Sequence, residues 1–178
     1  EIISSLSTII VDIDSSSINW IGKKVMSSHE GIINISSGEL VMSGDKLISG
    51  IIEVDMNSII NTDIEKIGKR EYLTNHLKNE DFFNVLEYSK STLIITNSEQ
   101  IDEANYTFNG DLTIKGITHP VDFKGTVEKE NDNYCSHINL EFDRTLWNIK
   151  YNSGQFFENL GDKLILDNIE LNIVIKTK

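Results

Sequence analysis

Tyr106 to Val127 reads YTFNGDLTIKGITHPVDFKGTV. Tyr106, Phe108, Gly110, Leu112 and Ile114 alternate with Thr107, Asn109, Asp111, Thr113 and Lys115. Beyond Gly116, Val121, Phe123, Gly125 and Val127 alternate with Asp122, Lys124, Thr126 and Glu128. Successive side chains of a strand point to opposite faces, so each run has one apolar and one polar face. Gly116 marks the turn between them. Pro120, the sole proline, is placed at the opening of the second strand, where it costs no ladder hydrogen bond.

The same period extends in both directions. Downstream, Ile138, Leu140 and Phe142 alternate with His137, Asn139, Glu141 and Asp143, and Ile169, Leu171, Ile173 and Ile175 form a last apolar face. Upstream, Ile48, Gly50, Ile52, Val54 and Met56 share a face, with Ile51 the one interruption opposite. Less regular strands are placed at 18–25, 31–42 and 92–96, and Ser43-Gly44-Asp45 and Asn131-Asp132-Asn133 read as turns. The total is about eight strands, each with one wet face, which is an antiparallel pattern. The pattern alone leaves a sandwich and a closed barrel open.

Two segments depart from it. Thr62-Asp63-Ile64-Glu65 has the form of a capping box, and Ile64, Ile67, Leu73 and Leu77 follow at helical spacing, weakened by Gly68. A short helix is expected within 63–78, followed by a turn that presents Phe82 and Phe83. Residues 144–162, rich in Asn, Gly and aromatics, read as an irregular excursion before the last strand.

The chain has 178 residues, 39% of them hydrophobic, and a formal charge of −12. One domain spanning 1–178 is expected, with no repeat or linker. The acidic balance and the lack of a basic stripe argue against nucleic acid as partner. No apolar run approaches the roughly 20 residues of a spanning helix. Cys135 is the one cysteine and reads as a small buried thiol in a strand. The chain opens on Glu1, which fits a removed export signal or a trimmed start equally.

Several motifs, in order, resemble the YceI-like family. They are Trp20-Ile-Gly-Lys-Lys-Val25, His29-Glu-Gly31, Gly50 to Ser58, His76-Leu-Lys-Asn-Glu-Asp-Phe-Phe83 with Tyr88, and Gly110 to Thr118 with Pro120-Val121. Asp143-Arg144, Tyr151, Phe156-Phe157 and Leu160-Gly-Asp162 complete the set. Ser89 and Leu93 depart from it, where proline and an aromatic are usual. The resemblance implies a lipocalin-like, eight-stranded antiparallel β-barrel with a short helix packed near one end. It also implies a lipid-like ligand (a polyisoprenoid, an isoprenoid quinone or a related long-chain amphiphile) and a family whose members are mostly exported, often periplasmic and often homodimeric.

An eight-stranded barrel is wide enough to be filled by side chains or to hold one small ligand. Gly22, Gly31, Gly50, Gly110 and Gly125 fall on inward faces and either open a tunnel or serve bulges and bends. Trp20, Ile33, Ile52, Val54, Phe108, Leu112, Phe123, Leu140 and Phe142 are the lining candidates, and Phe82, Phe83, Trp147, Phe156 and Phe157 are candidates for an entrance. Ordinary core packing accounts for each aromatic equally well. Lys24, His29, Arg70, His76, Arg144 and Tyr151 are the headgroup candidates, suited to a phosphate or a quinone carbonyl; surface charge or a structural hydrogen bond is the competing account of each. No His-Glu-x-x-His, paired Cys, phosphate loop or Gly-x-Ser-x-Gly elbow occurs. Binding without catalysis, metal or cofactor is therefore expected. The alternatives are a protein-interaction or stress-related module with a solid barrel core and, more weakly, a metal-dependent enzyme using His76, Glu80 and Asp81.

Overall fold

The structure, a computed structural model, describes residues 5–178. The strands are β1 (Leu6–Ile10), β2 (Ser17–Lys24), β3 (Ser28–Ser43), β4 (Lys46–Asn61), β5 (Lys90–Gln100), β6 (Asn105–Ile114), β7 (Ile117–Glu130), β8 (Asn133–Asp143) and β9 (Ile165–Lys176). One helix, α1 (Ile67–Lys78), joins β4 to β5, and 3-10 turns at Arg144–Trp147 and Gly161–Lys163 interrupt the path from β8 to β9. All ladders are antiparallel. The order β3-β2-β9-β8-β7-β6-β5-β4 closes through β4–β3 pairing into an eight-stranded barrel.

β1 is the extra strand. It pairs with Glu39–Ser43 of β3, while β2 pairs with Ser28–Ile33 of the same strand. β1 and β2 are thus two pieces of one slot, joined by residues 11–16. Val11 bridges to Thr177, and Lys178 N donates to Ile10 O at 3.0 Å.

The β6–β7 hairpin forms as read. Ile114 faces Ile117 across Lys115 and Gly116, with φ of 52° and 70°. Two consecutive positive φ values match the strand twist in a two-residue turn. Pro120 is corrected: it lies inside β7, opposite Asp111, and does not open it. The β7–β8 ladder starts only at Lys124–Asn139, so no donor is missed on that side.

Two other expectations change. In β4, Leu47 is buried and Ile48 is exposed, because Ile48 is the extra residue of a bulge opposite Val41 and Met42 of β3, which inverts the parity there. The helix starts at Ile67, and Lys66 caps it without a side-chain bond. The box at Thr62–Glu65 does not form; Thr62 N instead donates to Glu30 O at 3.0 Å. Ile67 is left exposed, and Leu77 is the buried residue of α1.

The core differs along the barrel axis. At the end away from α1, Tyr106 stacks on Phe108 at 5.7 Å between centroids, and Phe108 on Phe123 at 5.1 Å. Toward α1 the inward residues are mostly aliphatic.

Candidate lipid-binding cavity

A cavity of about 170 Å³ occupies the helix end of the barrel. Strand alternation places Ile18, Trp20, Ile33, Leu112, Phe142 and Leu171 in its wall, and Leu73 and Leu77 of α1 with Phe82 and Phe83 cover it. A second space of about 50 Å³ lies deeper, among Leu40, Ile52, Leu93, Ile138 and Leu140. Ile18, Val54, Ser91, Leu112 and Leu171 line both, so they form a waist between two lobes. Apolar cavities on the order of 150 Å³ stay dry and accept apolar guests.

The polar groups of the outer lobe are Lys23, Lys24, His29, Ser91 and Arg144. Lys23 pairs with Glu170. Lys24 has no ion-pair partner among the described residues. His29 Nδ1 lies 2.9 Å from Asp63 Oδ2, in the strap that leads into α1. Asp63 also accepts from Glu30 N and Asn61 Nδ2. Partial burial works against its charge, yet the bonds from His29, Glu30 and Asn61 hold its carboxyl below the ordinary carboxylate range.

Of the lining candidates, Trp20, Ile33, Val54, Leu112 and Phe142 stand in the outer lobe with Phe82, Phe83 and His29. Ile52 and Leu140 stand in the inner lobe. Phe108 and Phe123 do not line either lobe; they point inward but belong to the aromatic stack beyond them. Trp147 is buried behind Phe142 and donates Nε1–H to Leu112 O at 3.1 Å, so it is a core residue and not an entrance. Phe156 and Phe157 are half exposed on the outside, with Lys150 over the Phe156 ring at 4.7 Å.

The headgroup candidates divide in the same way. Lys24 and His29 are at the cavity. Arg70 is committed to Ile64 O at 2.6 Å, ahead of α1. His76 pairs with Asp81 at 2.9 Å and packs on Phe82 and Tyr151, so His76 and Tyr151 support the cover from behind. Arg144 touches the cavity but is 1% exposed, and its guanidinium donates to Ile149 O, Ile165 O and Leu166 O at 2.9, 3.0 and 3.3 Å, with Asp167 Oδ1 at 3.5 Å. Its fork is spent on ordering the excursion. The glycines do not open the tunnel either. At Gly31 a Cβ would lie 1.9 Å from Ile60 O and 2.4 Å from Trp20 Cζ2, so the indole fills that place. Gly22 alone of the five lines a lobe.

Residues 10–177 match the YceI-like domain family. The chain belongs to the YceI-like family. A UPF0312 protein of Shewanella denitrificans is 24% identical over 146 residues, 79% of this chain and 74% of that one. Among solved structures, BcnA of Burkholderia cenocepacia superposes with a TM-score of 0.77 at 18% identity, over 94% of this chain and 99% of that one. A polyisoprenoid binding domain from Saccharophagus degradans, implicated in plant cell wall breakdown, gives 0.70 at 13% identity, over 98% and 99%. A YceI protein of Campylobacter jejuni gives 0.59 at 19% identity, over 88% and 84%.

The YceI-like barrel also places in the cavity residues outside the candidate set. Ile18, Met56 and Leu171 are legible in the sequence, since they continue the inward faces of Trp20, Val54 and Ile173. Ile59, Ile149 and Ile165 are not, because bulges or irregular backbone bring them there. Cys135 is buried, with its thiol pushed up by burial and, secondarily, by nearby carboxylates. Among the described residues no group of three or more His, Cys, Asp or Glu converges as metal ligands, and no helix is long and apolar enough to cross a membrane. Two buried side-chain atoms among the described residues have no hydrogen-bond partner: Trp20 Nε1 and Ser136 Oγ.

Proposed function

We propose that this YceI-like barrel binds one long apolar amphiphile, of isoprenoid or fatty-chain type, with its tail in the two lobes and its head at the Lys24–His29 rim. The observation that carries this reading is the continuous apolar wall of two lobes sharing a waist. Each methylene-sized group buried there contributes about 0.8 kcal/mol, so a chain gains affinity by length alone. The polyisoprenoid binding domain of similar fold supports the same reading. Carrying or sequestering such a chain needs no catalytic group, and the fixed pairings of His29, His76 and Arg144 fit a binding role. The exported location and the homodimer implied by the family belong to this proposal.

Organic extraction of the purified protein followed by mass spectrometry tests it. A stoichiometric isoprenoid or fatty species is the expected result. An empty extract, with no uptake of added isoprenoid, would overturn the proposal.

A further inference from the structure

The connections at the two ends of the barrel differ in charge and in apolar surface. Away from α1 they are residues 11–16, 44–45, 101–104 and 131–132. These carry Asp12, Asp14, Asp45, Asp102, Glu103 and Asp132 and no lysine or arginine. At the helix end they are residues 25–27, 62–89, 115–116 and 144–164, where acidic and basic residues are equal in number. The end that holds the cavity is therefore neutral, although the chain carries −12. Apolar surface is distributed the other way. Val25, Met26, Ile67, Tyr72, Leu86 and Phe157 are exposed at the helix end, whereas Ile13 and Ile101 are the exposed large apolar residues of the far connections. Single apolar residues on a surface need no explanation, but their collection at the mouth of a cavity does.

Two of these points stand on the rim of the outer lobe. Val25 and Met26, 61% and 88% exposed, form the tip of the β2–β3 hairpin. Lys23, Lys24 and His29, at the base of that tip, line the cavity. Ile67, 67% exposed, opens α1. The His29–Asp63 pair at 2.9 Å and the bond from Thr62 N to Glu30 O tie the hairpin to the strap that ends at Lys66. Lysines flank both points: Lys23 and Lys24 precede Val25, and Lys66 and Lys69 bracket Ile67. Among the described residues Lys24, Lys66 and Lys69 have no ion-pair partner. Such a pattern suits a bilayer interface, where the apolar group enters the acyl boundary and the ammonium stays at the level of the phosphates. We propose that this rim docks on a lipid bilayer, with the cavity mouth against the membrane and the acidic connections turned away. Apolar insertion holds the neutral end, and repulsion of the acidic end by an anionic leaflet orients it. A chain then passes between bilayer and outer lobe with little exposure to water; that consequence rests on the carrier reading, while the docking itself does not.

Flotation of the full chain with vesicles of phosphatidylcholine and about 30% phosphatidylglycerol tests it. The wild-type protein should float with the vesicles. Val25→Ser combined with Met26→Ser should lower partitioning at least tenfold, and Ile67→Ser severalfold. All three side chains are exposed, so the melting temperature should not change. Ile101→Ser, which removes an exposed apolar side chain at the far end, should leave flotation unaltered. Wild-type protein that stays unbound overturns the proposal. Flotation that survives the Val25 and Met26 changes, or that falls equally with Ile101→Ser, overturns it as well. If the wild-type protein ignores vesicles and the double variant instead dissociates a dimer in sedimentation velocity, the rim belongs to a second copy of the chain and the lipid surface is ruled out. Docking without uptake of any chain would sink the carrier reading alone, and uptake without docking would sink this proposal alone.

Discussion

The two ends of the barrel are built from the same eight strands and close in different ways. Away from the helix, Tyr106, Phe108 and Phe123 stack face to face, and Tyr134 anchors its hydroxyl to Asp45 at 2.7 Å. At the helix end, closure falls to α1, which buries only Leu77 fully, and to polar straps through Asp63 and Arg70. Aromatic rings bury large areas and fill a lumen of this width. At the helix end the rings of Trp20, Phe142, Phe82 and Phe83 edge the wall and the cover without stacking across the lumen, and space is left between them. The contrast teaches that the position of the cavity follows from where rings stack across the barrel, not from where rings occur.

Changing either end should expose that division. The largest effect is expected from Phe108→Ala, which empties the middle of the stack. It should cost about 3–5 kcal/mol, read by urea unfolding, while isoprenoid uptake per folded molecule stays unchanged. Loss of uptake at intact fold would show that the two ends are not separate. Next is Arg144→Met, which strands buried carbonyls of the excursion. A loss of about 3 kcal/mol is expected, and hydrogen exchange should report lost protection at Ile165 and Leu166. Full protection there would mean that packing, not the guanidinium, orders the segment.

A smaller stability effect and a larger binding effect are expected from Val54→Phe at the waist. Overpacking should cost about 1–3 kcal/mol. Chain binding should fall at least tenfold if both lobes are used, whereas unchanged affinity would confine the ligand to the outer lobe. The smallest effect concerns Asp63. Its native carboxyl titrates below the ordinary range, so its contribution is complete above that range and is lost as pH falls through the depressed native value. Asp63→Asn should therefore flatten the acid limb of a melting profile below about pH 4, with a loss of about 0.5 kcal/mol at neutral pH. An unaltered acid limb would assign the sensitivity to other carboxylates.

How much is legible in the sequence can be judged from particular residues. The inward faces of β6, β7 and β8 follow from alternation, because no bulge lies within the β6–β7 and β7–β8 ladders. Alternation misplaces Ile48 because one extra residue reverses every side chain beyond it. Phe108 and Phe123 turn inward as alternation predicts, yet they do not join the lining. Parity tells which face a residue takes but not its height along the axis. His76, Tyr151 and Trp147 do belong near the site, but their support role depends on contacts far apart in sequence. Ser136 stands two steps before Ile138 as a polar residue on an apolar face, and that signal is visible without a structure.

The shared slot of β1 and β2 has a consequence for self-association. Sheets aggregate through unpaired edges, and a barrel has none once its ring is complete. Here β2 covers β9 from Ile165 to Val174 but β3 only from Ser28 to Ile33, so without β1 a gap would lie between Glu39–Ser43 of β3 and the last residues of the chain. The ladder from Leu6–Ile10 to β3, the Val11–Thr177 bridge and the bond from Lys178 N to Ile10 O fill it from both sides. The broken strand thus acts as a seam, leaving little backbone on which a second molecule can grow a fibre.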